Sequence, residues 1–420
     1  VSDGGWARRM IRLKYLARFQ KGRIPPELFK ESGESREPYL SMEYLRRQTT
    51  SPEFAEIRGA IIAENDDSIL LWDGSNAGEF IKARRGIVSS TTALVSVENV
   101  NAEYFFYLCK SLEPQIRAAT VGMGIPHVNG EFVGNLVVEL PSSEMQREVA
   151  SFLNQQTSKI DALIKTKEDL LRLLAEKRRG LLTRAVTQGI HDHVLRRDFT
   201  IPKIEQVPLH WSILPLRRLI TSLDQGWSPI ASNLPADADE YGVLKLSAVK
   251  GGCLIGEENK ALPPDAAIPM ELLISKDDVF ITRANTPKLI GDVAVAEKDY
   301  PNLIFSDLIY RVRADSAKVY PNWLALALLS DIGRNQIEAE AKGSSATMVK
   351  LAQDQVLSLL IPLPPIDEQL VIANYVQVET KKIDDFAKAT ERTIALLQER
   401  RSALISAAVT GQLEIKGTSA

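Results

Sequence analysis

A long internal repeat constrains this chain more than any other feature of its sequence. The segment that begins at Leu140 recurs without a gap from Leu363, at an offset of 223 residues, and 18 of the 48 aligned positions are identical. The identities include an internal pair, Ile160-Asp161 and Ile383-Asp384. One structural unit is therefore present twice, and any architecture proposed for the chain must accommodate both copies.

Both copies of the repeat have the pattern of a long helix. Each starts after a proline, with Ser143 and Asp367 as the predicted N-caps, and then meets no proline for over forty residues. Apolar residues recur in steps of four and three, a period of about 3.5 residues that is typical of a coiled-coil seam in a rod of roughly 65 Å. Two unrelated amphipathic helices would not share caps, interruptions and ends. The predicted seam positions are Val149, Leu153, Ile160, Leu163, Leu170, Leu174 and Leu181, and then Ile372, Val376, Ile383, Phe386, Leu397 and Leu404.

A β-rich segment precedes each predicted helix, and the two segments resemble each other loosely. Gln20-Lys-Gly22 is echoed by Gln225-Gly226, and short apolar runs alternate with turn residues in both segments. Helices are predicted late in each segment, at 102–117 and 320–341. We therefore predict an α+β protein with two α/β globules and two long helices. The predicted order is a first globule (1–141), a first long helix (142–190), a linker (191–213), a second globule (214–362) and a second long helix (363–412).

Composition narrows the possible locations and chemistries. The formal net charge of −3 indicates that any contact with nucleic acid must come from local basic patches. No apolar stretch is long enough to span a bilayer, and we expect a cytoplasmic protein. Cys109 and Cys253 lack the spacing of a zinc site or a disulfide framework and are expected to be packing residues.

The sequence also lacks recognisable catalytic motifs. It has no phosphate-binding loop, and none of its Pro-Pro pairs stands in the context of an amino-methyltransferase motif. Glu340-Ala-Lys342 has the spacing of a nuclease carboxylate and lysine, but a solvated charged turn explains it better. His191-Asp-His193 is more consistent with a polar linker than with a metal site. These observations favour a scaffold or recognition protein over an enzyme.

At this point the chain resembles a known family, the specificity subunits of type I restriction-modification systems. The resemblance rests on a Pro-to-Gln signature at the start of each helix, Pro141 to Gln146 and Pro364 to Gln369. It rests also on the ends of the helices, Ala185-Val-Thr-Gln-Gly189 and Ala408-Val-Thr-Gly411. The first signature departs from the pattern, with Ser142-Ser-Glu-Met where the second has Pro365-Ile-Asp-Glu. This departure concerns the start of the first helix.

The resemblance implies both an architecture and a function. The helices would pair as an antiparallel coiled coil with a pseudo-twofold relation between the two halves, and each globule would be a target-recognition domain for one half of a split DNA target. Two methyltransferase subunits would dock on the scaffold, and translocating endonuclease subunits would join the complex. The chain itself would bind no cofactor or metal, while S-adenosylmethionine, ATP and Mg²⁺ would act on the partner subunits.

Candidate DNA-binding residues lie in two kinds of segment, where polar and basic side chains can reach base edges or phosphates. One is the turn after a hydrophobic strand, and the other is the polar loop before the last strand of each globule. An exposed turn with its ordinary share of charge is the alternative for each residue. The candidates of the first globule are Ser75, Asn76, Lys82, Arg84, Arg85 and His127; those of the second are Arg283, Asn285, Thr286, Lys288, Ser344, Ser345 and Lys350.

Basic residues beside the predicted seam are candidates for contact with partner subunits. They are equally consistent with the solvated face of a coiled coil. Two other functions stay open from sequence: a self-contained nuclease or methyltransferase with diverged motifs, and a protein-binding scaffold. The partner candidates are Lys165, Arg172, Arg178, Lys388, Arg392 and Arg401.

Overall fold

The computed structural model describes residues 9–122, 124–191, 194–201, 204–287, 289–345 and 348–415. Its contacts divide the chain into two units, one of Val1–Glu168 with Glu391–Ala420 and the other of Asp169–Thr390. Both divisions fall inside the long helices. Each unit therefore contains one globule, the start of the long helix that follows this globule, and the end of the other long helix.

The first unit is built on a four-stranded antiparallel sheet in the order β2-β9-β6-β7. A second sheet has the order β4-β3-β8-β5, and β1 pairs with β10. All four residues of β6 are buried, as expected for a central strand covered on both faces. The elements are β1 Arg9–Arg12, β2 Ala17–Lys21, β3 Arg36–Leu40, α1 Met42–Leu45, β4 Phe54–Glu56, β5 Ile62–Ala63, β6 Ser68–Leu71, β7 Phe80–Lys82, β8 Gly86–Val88, β9 Thr92–Val97, α2 Ala102–Ala118, α3 Gly130–Asn135, β10 Val137–Leu140 and α4 Ser143–Gln188.

The second unit has a six-stranded sheet in the order β14-β23-β19-β21-β17-β16, in which β19 is the fully buried central strand. Smaller sheets have the orders β18-β15-β22 and β20-β25-β24, and β13 pairs with β26 and β11 with β12. The elements are β11 Arg196–Ile201, β12 Ile204–Pro208, β13 Ser212–Pro215, β14 Ile220–Gln225, β15 Gly242–Leu244, β16 Val249–Lys250, β17 Gly252–Leu254, β18 Asn259–Ala261, β19 Val279–Thr282, β20 Ala284–Asn285, β21 Val293–Val295, β22 Leu303–Phe305, β23 Ile309–Ala314, α5 Pro321–Leu329, α6 Asp331–Glu340, β24 Lys342–Ser345, β25 Met348–Lys350, α7 Gln353–Ser358, β26 Leu360–Leu363 and α8 Ile366–Val409.

The two globules share one topology, although their sequences differ through most of their length. The run β2-β9-β6-β7 corresponds to β14-β23-β19-β21, and β4-β3-β8 corresponds to β18-β15-β22 with the same parallel and antiparallel senses. The pair β1-β10 corresponds to β13-β26. The internal repeat therefore extends from the helices to the sheets.

Each globule buries the start of its own long helix together with the end of the other. In the first unit, Val149 and Leu153 join the same apolar cluster as Ile405 and Val409. In the second unit, the residues at the matching repeat positions do the same: Ile372, Val376, Leu182 and Val186. In each unit the start of one helix lies beside the end of the other, so the paired segments are antiparallel. The expected α+β fold with an antiparallel helix pair and an internal repeat is confirmed.

The predicted caps of the long helices are wrong. The backbone N–H of Met145 donates to Ser142 Oγ at 3.3 Å, so Ser142 is the N-cap and Ser143 is the first helical residue. The second helix begins at Ile366 directly after Pro365, which places Asp367 in the first turn. A carboxylate there still favours the helix, because it faces the positive end of the helix dipole.

The predicted seam is displaced near the middle of each helix. Leu163 is 51% exposed and Phe386 is 53% exposed, although both were expected in the seam. Thr390, a polar residue that is absent from the predicted seam, is 3% exposed and therefore buried. Its hydroxyl donates to the Phe386 carbonyl one turn earlier, at 2.9 Å, which satisfies its hydrogen-bonding capacity inside the seam.

Two further segments differ from expectation. The helix predicted at 320–341 is two helices, because Ser330 adopts an extended conformation and its hydroxyl caps α6. The predicted linker contains β11 and β12 and is partly packed, with Val207 buried against Ile332. Its composition is polar, yet it belongs to the second unit's structure.

Candidate nucleic-acid interface

The two kinds of segment singled out from sequence lie side by side in each globule. In the second, β20 follows the central strand and pairs with β25 of the polar loop, with Ala284 opposite Lys350. In the first, Asp73 follows the central strand, and its backbone forms an isolated antiparallel β-bridge with His127 of the polar loop. Turn and loop therefore make one composite surface in each unit, called here the turn-loop surface.

The same backbone hydrogen bond joins turn and loop in both units. The N–H of Val128 donates to the Trp72 carbonyl at 2.9 Å, and the N–H of Leu351 donates to the Arg283 carbonyl at 2.9 Å. The side chain at this position is thus a tryptophan in one unit and an arginine in the other. The backbone contact is the same in the two units, while the side chain at this position differs.

In the second unit, the Arg283 side chain is held by its neighbours. Its Nε donates to the Tyr310 hydroxyl at 2.9 Å, and that hydroxyl in turn donates to the Leu351 carbonyl at 3.1 Å. Its Nη1 contacts the Asp307 carbonyl at 3.4 Å. Tyr310 is fully buried, so it offers a rigid support. A guanidinium held in this way loses little entropy when it binds a base edge or a phosphate.

The other candidates of the second unit differ in whether their side chains are exposed or are used in the turn itself. Thr286 and Lys350 are exposed, whereas the side-chain oxygen of Asn285 accepts the Thr286 N–H at 2.8 Å and stabilises the turn. Lys288 lies outside the described residues. Of Ser344 and Ser345 only the backbone is described, in β24.

In the first unit, the turn-loop surface carries a linked set of polar and charged side chains. His127 Nδ1 lies 2.7 Å from Asp73 Oδ1, and Lys21 Nζ lies 2.7 Å from Asp73 Oδ2. Burial raises the pKa of Asp73, but the hydrogen bonds from His127 and Lys21 outweigh it and lower the pKa below the ordinary 3.8. Asp73 is therefore ionised at neutral pH. Ser75 and Asn76 are exposed in the adjoining turn.

The structure separates the remaining candidates of the first unit from this surface. Lys82 pairs with Ser68 at the beginning of β6, whereas the turn of Ser75 follows the other end of that strand. Lys82 contacts Glu103 at 2.8 Å, and Arg85 contacts Glu37 and Glu64. Arg84 lies over the Tyr44 ring at 4.7 Å. Carboxylates of the same domain neutralise Lys82 and Arg85, which disfavours their use on phosphate.

Sequence pattern missed Lys21, Asp73, Gln225 and Asp307 as members of these surfaces. Gln225 donates to the Asp307 carbonyl at 3.2 Å, and so approaches the same residue as Arg283. A glutamine shortly before a glycine, in Gln20-Lys-Gly22 and again in Gln225-Gly226, was the sequence pattern that could have identified these positions. A Cβ on Gly22 would lie 2.0 Å from the Val88 carbonyl oxygen, and one on Gly226 would lie 2.2 Å from that of Phe305, so only glycine fits at either position.

The helix candidates fall into two groups. Arg178 and Arg401 each make an ion pair between the paired helix segments, with Asp384 and Asp161 respectively. Arg172 pairs along its own helix with Asp169 and Glu176. Contact with a partner subunit stays a prediction for the whole set. The remaining members, Lys165, Lys388 and Arg392, are exposed.

Two other kinds of feature are absent from the part of the chain that the structure describes. No group of three or more His, Cys, Asp or Glu side chains that could hold a metal ion occurs within residues 9–415 as described. Within the same part of the chain, no helix combines the length and the apolar character needed to cross a membrane.

Duplicated α+β globules with matching turn-loop surfaces, carried on a pair of long helices, define a class of two-domain recognition proteins. Comparison with known proteins gives the family. The model of the type I restriction modification DNA specificity domain matches residues 5–172 and 271–396, more than half of the chain. The chain therefore belongs to this family.

Individual relatives agree with the family match. The chain is 26% identical over 414 residues to the type I restriction enzyme MjaVIII specificity subunit of Methanocaldococcus jannaschii, covering 97% of this chain and 93% of that protein. It is 28% identical over 194 residues to the EcoEI specificity subunit of Escherichia coli, covering 46% of this chain and 32% of that protein. Both relatives are named as specificity subunits of type I restriction enzymes.

A solved structure shares the fold over nearly the whole chain. It comes from work on complex assembly and conformational transition of the type I R-M system, and it superposes with a TM-score of 0.66 at 16% identity. The match covers 98% of this chain and 99% of that one. The similarity to specificity subunits expected from the repeat signatures is confirmed.

Proposed function

We propose that this chain is the DNA-sequence-recognition subunit of a type I restriction-modification complex and that each globule recognises one half of a bipartite target. The observation that carries the proposal is the duplicated turn-loop surface: similar backbone pairings between turn and loop hold Trp72, Asp73 and His127 in one unit and Arg283, Asn285 and Lys350 in the other. Two similar frames with different side chains suit two different short sequences.

The paired helices would hold the two globules at a fixed separation and dock two methyltransferase subunits, with translocating endonuclease subunits joining later. The chain would bind no cofactor itself. S-adenosylmethionine, ATP and Mg²⁺ would act on the partner subunits, and the complex would work in the cytoplasm. The exposed cations of the helices, such as Lys165 and Lys388, support a docking role because charged rims steer and orient partner proteins.

The test is selection from a random-sequence duplex library by the chain in complex with its methyltransferase subunits. Recovery of two short conserved sequences separated by a constant number of unspecified base pairs is the expected result. The affinity should fall steeply with salt, because phosphate contacts release counterions. An intact complex that enriches no sequence would overturn the proposal.

A further inference from the structure

Each long helix is tied to its globule by one buried glutamine. Gln146 is 4% exposed, and its Oε1 accepts the backbone N–H of Asn101 at 2.9 Å. Gln369 is 0% exposed, and its Oε1 accepts the backbone N–H of Tyr320 at 2.8 Å. Asn101 and Tyr320 are the N-cap residues of α2 and α5, the helices that follow the sheet in each globule.

The amide nitrogen of each glutamine completes the link. Gln146 Nε2 donates to the Pro141 carbonyl at 3.0 Å, and Gln369 Nε2 donates to the Pro364 carbonyl at 2.9 Å and to the Lys318 carbonyl at 3.1 Å. Each side chain therefore joins three places: its own helix, the strand end that precedes this helix, and the cap of the globule's helix. The two glutamines occupy equivalent positions of the repeat.

This chemistry explains why a glutamine follows five residues after the proline. The position needs an acceptor for a backbone N–H and a donor for a backbone carbonyl on one planar group, and the amide of glutamine supplies both whatever the pH. Asparagine has the same amide on a shorter side chain. Ionised glutamate would present acceptors to the carbonyl oxygens, and methionine would leave buried backbone groups without partners.

Apolar packing alone does not fix a helix's direction as tightly as directional hydrogen bonds do, because apolar contacts are non-directional. The direction matters because the helices are long. Over roughly 65 Å, at about 1.5 Å per residue, a change of about 5° at the start of a helix moves its far end by about 6 Å. This is close to the rise of about two base pairs of DNA.

We propose that Gln146 and Gln369 are positioning residues that fix the direction in which each long helix leaves its own globule, and thereby fix the number of unspecified base pairs in the target. The inference rests on the proposed function. It adds that the gap length is encoded at the start of each helix as well as in the length of the helix.

The test compares gap-length distributions in targets selected from the duplex library by the intact complex. The variants are Gln146→Met and Gln369→Met, which keep the side-chain length and remove both hydrogen-bonding functions. Gln377→Met is the matched control, because Gln377 is exposed on the same helix as Gln369. We expect the two variants to select the wild-type half-sites with a gap that broadens or shifts by one or two base pairs, and we expect the control to keep the wild-type gap.

A second pair of variants, Gln146→Glu and Gln369→Glu, tests the hydrogen bonds themselves. A buried protonated carboxyl group has one donor and one acceptor, as the amide does, so lowering the pH should restore the wild-type gap in these variants but not in the methionine variants. A loss of folding stability alone would not respond in this way.

The outcomes separate the two proposals. If the wild-type complex selects no split motif, the proposed function fails. If the wild type selects a split motif and the folded variants keep its gap distribution unchanged, the positioning role is overturned while the proposed function stands. If none of the four variants folds, the glutamines serve folding rather than positioning, and the inference is likewise rejected.

Discussion

Arg401 contacts Asp161 across the paired helices of the first unit, with Nε 2.8 Å from Oδ1. In the second unit, Arg178 contacts Asp384 with Nε 3.1 Å from Oδ1. The repeat offset of 223 residues carries Asp161 to Asp384 and Arg178 to Arg401, so one interaction is used twice. Parallel helices in register would instead bring identical residues together, carboxylate against carboxylate. The sequence repeat thus becomes electrostatically favourable only because the helices pair in antiparallel fashion.

The first prediction concerns this ion pair. Removing one charge with Arg401→Met or Asp161→Asn should destabilise the chain, and the double variant should lose less than the sum of the two single losses. The pair is partly exposed, so its coupling free energy should be about 0.5–1 kcal/mol. A double-mutant cycle from urea unfolding measures it. A coupling indistinguishable from zero would mean that the pair orients the helices without stabilising them.

The second prediction concerns Arg311, a buried cation of the second unit. It is 2% exposed, contacts Asp224 at 2.8 Å, and donates to the carbonyls of Leu273 and Glu271. Arg311→Met should lower the free energy of unfolding by about 3 kcal/mol, because the partly exposed Asp224 and two backbone carbonyls lose their donor and the buried Asp278 loses a cation 3.6 Å away. Urea unfolding of the full chain measures the change.

Arg18→Met provides the control for that experiment. Arg18 and Glu98 form an ion pair whose side chains are 77% and 69% exposed. Water replaces the partner at such a site, so the control should stay close to the wild type. Equal losses in both variants would indicate that the burial of Arg311 contributes nothing to its effect.

The third prediction concerns the glycines beside the turn-loop surfaces. Gly22→Ala and Gly226→Ala should each destabilise the chain and weaken DNA binding, since the new methyl group would overlap backbone carbonyl oxygens that cannot move far. Gly180→Ala is the matched control, because Gly180 lies inside α4 with open space where its Cβ would be. Alanine there should stabilise the helix by about 0.5–1 kcal/mol. Thermal unfolding of the three variants distinguishes the two effects.

Sequence pattern predicted the features that depend on local periodicity and on comparing the two halves. The repeat, the long helices and the similarity of the globules followed from the identities between 140–187 and 363–410. The turns after the central strands also followed, since buried strands end at turn residues such as Gly74. The cap at Ser142 could not be separated from its neighbour Ser143 by composition alone.

Sequence pattern could not predict partners that are distant along the chain. Whether Lys82 is available for DNA depends on Glu103, which a different element brings to 2.8 Å. The exposure of Leu163 depends on which face of a helix the second helix covers, and a leucine is compatible with either face. The burial of Thr390 could not be predicted from its polar side chain. Its hydroxyl donates to a carbonyl of its own helix, and this hydrogen bond allows the residue to be buried. Tertiary contacts decide all three.

The fourth prediction concerns the response to acid of the first unit. Because the native pKa of Asp73 is lowered below its ordinary value, the folded state binds a proton at this site less readily than the unfolded state does. The resulting stabilisation is present above the ordinary pKa of 3.8 and is lost as the pH falls through the native value. Asp73→Asn should therefore show a smaller loss of stability below about pH 5 than the wild type. Urea unfolding across this pH range measures the difference in stability, and Asp239→Asn, at an exposed site, is the control. Parallel curves of stability against pH for Asp73→Asn and the wild type would contradict the prediction.

The fifth prediction separates specificity from general affinity in the second half-site. Arg283 is held by Tyr310 and so can present its guanidinium to a base edge, whereas Lys350 is an exposed point charge suited to phosphate. Arg283→Ala should relax base preference at one or more positions of one half-site and leave the other half-site unchanged. Lys350→Ala should weaken binding to all sequences and reduce the slope of log affinity against log salt by about one.

Arg85→Ala is the control for both variants. It should change neither base preference nor the salt slope, because Arg85 is neutralised by Glu37 and Glu64. Library selection and salt titration of the three variants measure both effects, and a loss of specificity in both half-sites with Arg283→Ala would show that the two globules do not recognise DNA independently.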